Sequence, residues 1–172
     1  MFKQQVLFGS DEYEFQDQKN NKENKELYQF FEPCKKLNPL KLEKKMFVRT
    51  QDSIYRITDI DGWIIEGRAY EINAFYVMDI LTWEEKRLDF EVFYFAGTSL
   101  LDLLREGDLI SLKDLNGMYI QVTYLETCIF KKTKEKKLYC ERRNGKRSFF
   151  PIHNFVRVIR PVRLKPRILI ER

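Results

Sequence analysis

The hydrophobic positions of this chain change character twice. Up to about residue 45 they are sparse, and Gln16 to Glu26 contains no apolar side chain at all. Such a stretch cannot bury enough surface to fold by itself, so residues 1–26 are expected to form a polar arm. Its start, with Val6, Leu7, Phe8, Tyr13 and Phe15, is apolar enough to dock on a partner or on the folded part. Glu26 to Phe31 predicts one or two helical turns ended by Pro33, and Asn38-Pro39 a turn that completes a lid.

From Met46 a period of two takes over, the signature of strands with one buried face. It predicts a short extended piece at 46–50 and a long first strand from Ile54 to Tyr70, bent or bulged at Asp61-Gly62 and Gly67. Ala74 to Leu81 and Arg87 to Phe95 follow as a hairpin joined by 82–86. In the second of these, Leu88, Phe90, Val92 and Tyr94 fall on the expected core face. Gly97-Thr98-Ser99 then caps a short helix of Leu100, Leu101, Leu103 and Leu104, stopped by Gly107. A strand at 108–113, an Asn116-Gly117 turn and a strand at 119–130 come next. Polar turns at 131–137 and 142–147 lead to a closing strand at 148–159, with Pro151 marking an edge or bulge. No internal repeat is visible.

Strand, hairpin, one interposed helix and a return strand is the order of a five-stranded Greek-key OB barrel. The expected class is therefore all-β: an OB-fold barrel over 27–161 with a short helix between strands three and four, an N-terminal helical or extended arm, and a basic extended tail over 162–172. Pro161 and Pro166 exclude a regular helix in that tail. With 172 residues, 44% of them apolar, one core is expected. No apolar run approaches the roughly 18 residues of a membrane helix, and no apolar signal core follows Met1, so a soluble, intracellular chain with no membrane contact is expected. Cys34, Cys128 and Cys140 form no even framework, and His153 cannot complete a zinc site with them; reduced thiols and no metal or other cofactor are expected. No nucleophile elbow, phosphate-cradling loop or His-Glu-x-x-His occurs, and His153 has no oriented partner, so catalysis is not expected.

Charge sharpens this picture. Residues 131–172 carry 15 Lys and Arg against 3 Asp and Glu, whereas residues 1–130 carry 16 against 23, a split of +12 and −7 within the net +5. A basic third of this kind recruits phosphates or an acidic protein surface, or simply keeps a loop and tail solvated. OB folds hold single strands by stacking bases on aromatics of the second and third strands. The candidates are Tyr76, Trp83 and Phe93 on the sheet and Tyr139 on the last loop. Around that loop stand Lys131, Lys132, Lys134, Lys136 and Lys137, then Arg142, Arg143, Lys146 and Arg147. Against them, Asp79, Asp89 and Glu91 place acid beside the sheet, and strand aromatics also serve as core.

The run Ser53-Ile54-Tyr55-Arg56-Ile57-Thr58-Asp59-Ile60-Asp61-Gly62-Trp63-Ile64-Ile65-Glu66-Gly67, followed by Asn73-Ala74-Phe75-Tyr76-Val77-Met78-Asp79-Ile80, resembles the N-terminal OB domain of the Stn subunit of the CST (Ctc–Stn–Ten) telomere complex. In this it is similar to the middle subunit of replication protein A. Leu37-Asn38-Pro39-Leu40 and Glu106-Gly107-Asp108-Leu109-Ile110 look like that family's entry segment and fourth strand, and 147–161 like its closing strand. The second hairpin lacks the family's glycine, the 117–146 insert is long, and its C-terminal winged-helix region has no counterpart here. The resemblance implies a nuclear, telomere-associated subunit paired with a small Ten-like OB subunit and a large Ctc-like subunit. It further implies support of telomerase and C-strand synthesis and of binding to G-rich single-stranded DNA. The alternative is a stand-alone single-stranded nucleic-acid binder using the 131–147 loop.

Overall fold

The alternating segments pair into two antiparallel sheets. A computed structural model describes residues 28–30, 37–66 and 68–166. Contacts divide them into two compact units: a first made of residues 37–104 and 161–166, and a second made of residues 28–30 and 105–160.

The strands are β1 (Tyr28–Phe30), β2 (Phe47–Arg49), β3 (Ile54–Ile65), β4 (Arg68–Asp79), β5 (Glu85–Leu88) and β6 (Phe95–Gly97), then β7 (Leu109–Lys113), β8 (Tyr119–Phe130), β9 (Lys136–Glu141), β10 (Arg147–Pro151) and β11 (Phe155–Arg160). In the first unit the sheet order is β5-β4-β3-β2-β6, and in the second it is β10-β9-β8-β7-β11, with β1 added to the end of β8. Each sheet therefore runs fourth, third, second, first, fifth. Each also places one 3-10 turn between its fourth and fifth strands, Phe90–Val92 in the first unit and Ile152–Asn154 in the second. Both turns are closed by the amide of a following phenylalanine, Phe93 donating to the Phe90 carbonyl and Phe155 to that of Ile152. The chain carries one five-strand motif twice.

This corrects several expectations. The strand opening after Gly107 does not return to the strand beginning at Ile54; β7 and β3 lie in different sheets, so the single five-stranded OB barrel is not formed. The run Leu88 to Phe95, which alternates like one strand, is interrupted by the 3-10 turn, which shifts the facing of the residues after it. Phe93 is therefore the buried residue, 1% exposed and 5.5 Å from the Phe75 ring, while Val92 faces outward. The leucine-rich segment is a single 3-10 turn, Leu100–Leu103, rather than a helix, although Ser99 Oγ does accept from the Leu101 amide as its cap. No α-helix occurs among the described residues. Tyr28 to Phe30 is a strand, not a helical turn, because the end of β8 offers it a ladder. The polar arm over 1–26 lies outside the described residues.

The first core gathers Leu42, Val48, Tyr55, Ile57, Phe75, Val77 and Phe93. The expected bulge at Asp61-Gly62 is present, and a Cβ on Gly62 would run into the Glu71 carbonyl. In the second unit consecutive residues Leu138, Tyr139 and Cys140 are all buried, so β9 is covered on both faces. Tyr139 stacks 4.7 Å from Phe149 beside Cys128.

Burial also gives the second unit an alkaline limit. The Tyr124 phenol, donating to or accepting from Thr127 Oγ1 at 2.7 Å, is pushed up by desolvation from its ordinary 10.0 to about 12. Below pH 10 the phenol is neutral in both states and nothing is lost. Above it the unfolded chain ionises first, so stability falls until about pH 12, by about 2–3 kcal/mol. The Cys140 thiol, raised by burial from 9.0, adds to the fall in the same direction. Urea midpoints measured across pH 8 to 12 should decline accordingly, and Tyr124→Phe should remove the part of the decline that begins at about pH 10.

Candidate nucleic-acid interface

The cations from 131 to 147, contiguous in sequence, are divided by β9 into two groups. The turn from β8 to β9 is closed by the Phe130 amide on the Glu135 carbonyl and the Lys134 amide on that of Phe130, which turns Lys131, Lys132 and Lys134 outward. The turn from β9 to β10 is closed between Arg142 and Lys146, with Gly145 at φ +87, and exposes Arg143 and Lys146. Six residues of strand hold these turns about 17 Å apart, at opposite ends of β9.

Among the described residues no carboxylate pairs with Lys131, Lys132, Lys134, Arg143 or Lys146. The other predicted cations differ. Lys136 is exposed in β9. Lys137 is buried, its Nζ 5.0 Å over the Phe130 ring and 3.9 Å from Glu135, and Arg147 is tied to Glu141 at 3.1 Å. Arg142 lies 5.3 Å over the Phe150 ring. Tyr139, placed on a loop by the sequence pattern, is inside β9 and cannot stack a base.

A groove of about 390 Å³ lies between the second of these turns and β8, with Arg142, Arg143 and Asn144 on one side and Ile120, Gln121 and Val122 on the other. Sequence reasoning did not single out Gln121 or Asn144. It also missed Tyr119, which shares a face of β8 with Gln121 and stays 65% exposed, with Lys113 Nζ 5.5 Å over its ring. Its position two residues after the Asn116-Gly117 turn was the available signal.

Comparison with protein-family models, curated proteins and solved structures finds no match for this chain.

The remaining predicted aromatics belong to the first unit. Tyr76 points outward from β4 opposite Arg87, whose guanidinium is held up in pKa by its 2.7 Å bond to Asp61. Trp83, in the turn from β4 to β5, is 75% exposed. Beneath it runs a groove of about 530 Å³ whose floor includes Phe47, Met78, Ile80 and Leu100. Lys44, Lys45 and Arg56 stand along it, none of them foreseen from sequence. Lys44 is 3.2 Å from Asp59, whose carboxyl is lowered first by the Ile60 amide and then by Lys44. Asp79, which the sequence reading set against phosphate binding, is occupied with structure: it accepts from Ser53 Oγ at 2.8 Å and from the Leu81 and Thr82 amides.

Proposed function

We propose that the protein binds single-stranded nucleic acid, chiefly through phosphates, with the second unit as its main grip. The observation that carries this reading is the pair of exposed cation groups at the two ends of β9, with no carboxylate among the described residues to neutralise them. Residues 105–160 hold 13 Lys and Arg against 6 Asp and Glu, a difference of +7, so the unit attracts phosphate at long range as well. The groove beside Arg143 adds amides from Gln121 and Asn144, which can meet base edges, and Tyr119 offers a ring face for stacking. Nothing in this arrangement positions a nucleophile against a base, so the reading is of binding rather than chemistry.

The strand order shared by the two units, with a 3-10 turn before the fifth strand, is that of SH3-like small barrels, and we read each unit as a variant of that plan. This is fold-level analogy and does not decide function. The telomeric assembly implied by the resemblance, with its Ten-like and Ctc-like partners, depends on an OB strand order and gains no support from the order observed.

The test is the salt dependence of binding to a dye-labelled oligothymidylate. Five phosphate contacts on a single strand give a log–log slope of about −3.5, hence roughly a hundredfold loss of affinity between about 50 and 200 mM salt. No binding at micromolar protein in the lower salt, or a slope shallower than about −1, would remove the proposal.

A further inference from the structure

The two copies of the motif solve the same turn differently. In each unit the turn leading into the fourth strand contains a residue with a left-handed backbone: Gly145 at φ +87 in the second unit and Trp83 at φ +63 in the first. Glycine reaches that region without penalty, whereas a bulky side chain is strained there. The first turn does not need the indole to hold its shape. Asp79 already binds the Leu81 and Thr82 amides, its own amide donates to the Glu84 carbonyl, and the Trp83 amide donates back to the Asp79 carbonyl. Nor does core packing compensate, since the indole remains 75% exposed. Lys134, at φ +59, holds the equivalent place in the β8–β9 turn, so the backbone alone does not mark the groove; what marks it is that exposed Lys45, at φ +75, lines the same groove as the exposed indole.

We infer that the groove under Trp83 is a nucleotide subsite, in which a base stacks on the indole over the apolar floor while Lys45 and Arg56 take the adjoining phosphate. The inference rests on the nucleic-acid reading above and extends it to the other unit. Three properties select this occupant. The groove volume of about 530 Å³ lies in the range of small-ligand sites, roughly 300–1,000 Å³. Its cations stand beside a flat, exposed aromatic ring, the pairing that holds successive bases and phosphates in single-strand binders. The carboxylate among the lining residues, Asp79, is committed to its turn, and Asp59 is paired with Lys44. An acidic peptide with apolar side chains is the competing occupant, but it gains less from a flat ring face than a stacked base does.

The chain has two tryptophans, Trp63 and Trp83, so Trp63→Phe leaves the groove indole as the sole reporter. In that full-length variant, Trp83 emission should be quenched by oligothymidylate in step with the anisotropy of the labelled strand. Trp83→Gly, made in the wild-type chain, should weaken binding between about fivefold and a hundredfold, while its thermal midpoint holds or rises because the strained backbone relaxes. Anisotropy without quenching, or a Trp83→Gly variant that binds as the wild type does, would overturn the subsite and leave the phosphate grip standing. Quenching by a peptide of alternating glutamate and leucine, and none by the oligonucleotide, would assign the groove to protein instead. Absence of binding to any probe would dismiss the subsite together with the function it rests on.

Discussion

Arg49→Ala should strongly destabilise the first unit while leaving the second largely intact. Arg49 is completely buried at the end of β2, an unusual place for a guanidinium, and it is there as a hydrogen-bond donor. Its Nη1 donates to the Leu103 carbonyl at 2.7 Å and its Nη2 to the Val162 carbonyl at 3.0 Å. One side chain thus fastens both the 3-10 turn after β6 and the returning segment of 161–166. That segment is further laid along residues 50–52: the Leu164 amide donates to the Gln51 carbonyl, Gln51 Nε2 to that of Leu164, and Arg163 meets Asp52 at 2.8 Å. Alanine takes these donors from the buried Leu103 carbonyl, at about 1–3 kcal/mol, and from the partly buried Val162 carbonyl, at less, and opens a cavity besides. A loss of about 4 kcal/mol takes most of the stability of a small unit and lowers its midpoint by roughly 20 °C. Both tryptophans lie in the first unit, so the change is read by their fluorescence, and trypsin should cut after Arg163 as the segment is released. Arg49→Lys cannot span both carbonyls and should recover only part of the loss. A midpoint within about 5 °C of wild type would show that the guanidinium is not the fastening described.

The turns and caps that local chemistry dictates were legible in the sequence, whereas the single strand read from Ile54 to Tyr70 ends at Ile65 and pairs with a next strand that begins at Arg68. Gly107 and Gly117 do take positive φ at the predicted turns, the bulge falls at Gly62, and Ser99 caps the 3-10 turn beside it. What alternation cannot encode is which strand pairs with which. Leu88 to Phe95 satisfies a period of two across a break in the backbone, because a 3-10 turn of three residues returns the chain to an extended path with its facing altered. Reading it as one strand hid both the buried side of Phe93 and the matching of Phe90–Phe93 with Ile152–Phe155. With that match hidden, the repeat was invisible, since the two copies share strand order and turn placement rather than residues.

The candidate site was legible only as composition. Exposed Tyr76, Trp83, Lys131 and Arg143 stand where their residue types suggested, but buried Tyr139 and Lys137 do not. Lysine enters the interior of the second unit by setting its ammonium over the Phe130 ring and near Glu135, a burial that a charge count cannot foresee. The groove cations come from two places in the first unit, Lys44 and Lys45 before β2 and Arg56 within β3, and only pairing brings them beside Trp83.

Replacing Lys131, Lys132, Lys134, Arg143 and Lys146 together by Ser should weaken binding to single strands by about three-thousandfold at about 0.1 M salt. Each phosphate contact on a single strand contributes about 0.7 to the log–log slope, or roughly fivefold in affinity at about 0.1 M. Five exposed side chains with no carboxylate partner among the described residues can be removed at little cost to folding, since surface changes of this kind fall within about 0.5 kcal/mol each. Lys137 and Arg147 are left in place because one is buried over Phe130 and the other is paired with Glu141. The two turns test the geometry separately. If one strand reaches the turns at both ends of β9, the three-lysine variant should lose about a hundredfold and the Arg143–Lys146 variant about 25-fold, and the losses should multiply in the combined chain. At salt near 1 M the variants and the wild type should converge, because the lost contribution is counterion release. Losses that persist at high salt would mean that the substitutions damage the fold, and a full effect from one turn with none from the other would confine the grip to a single end of β9.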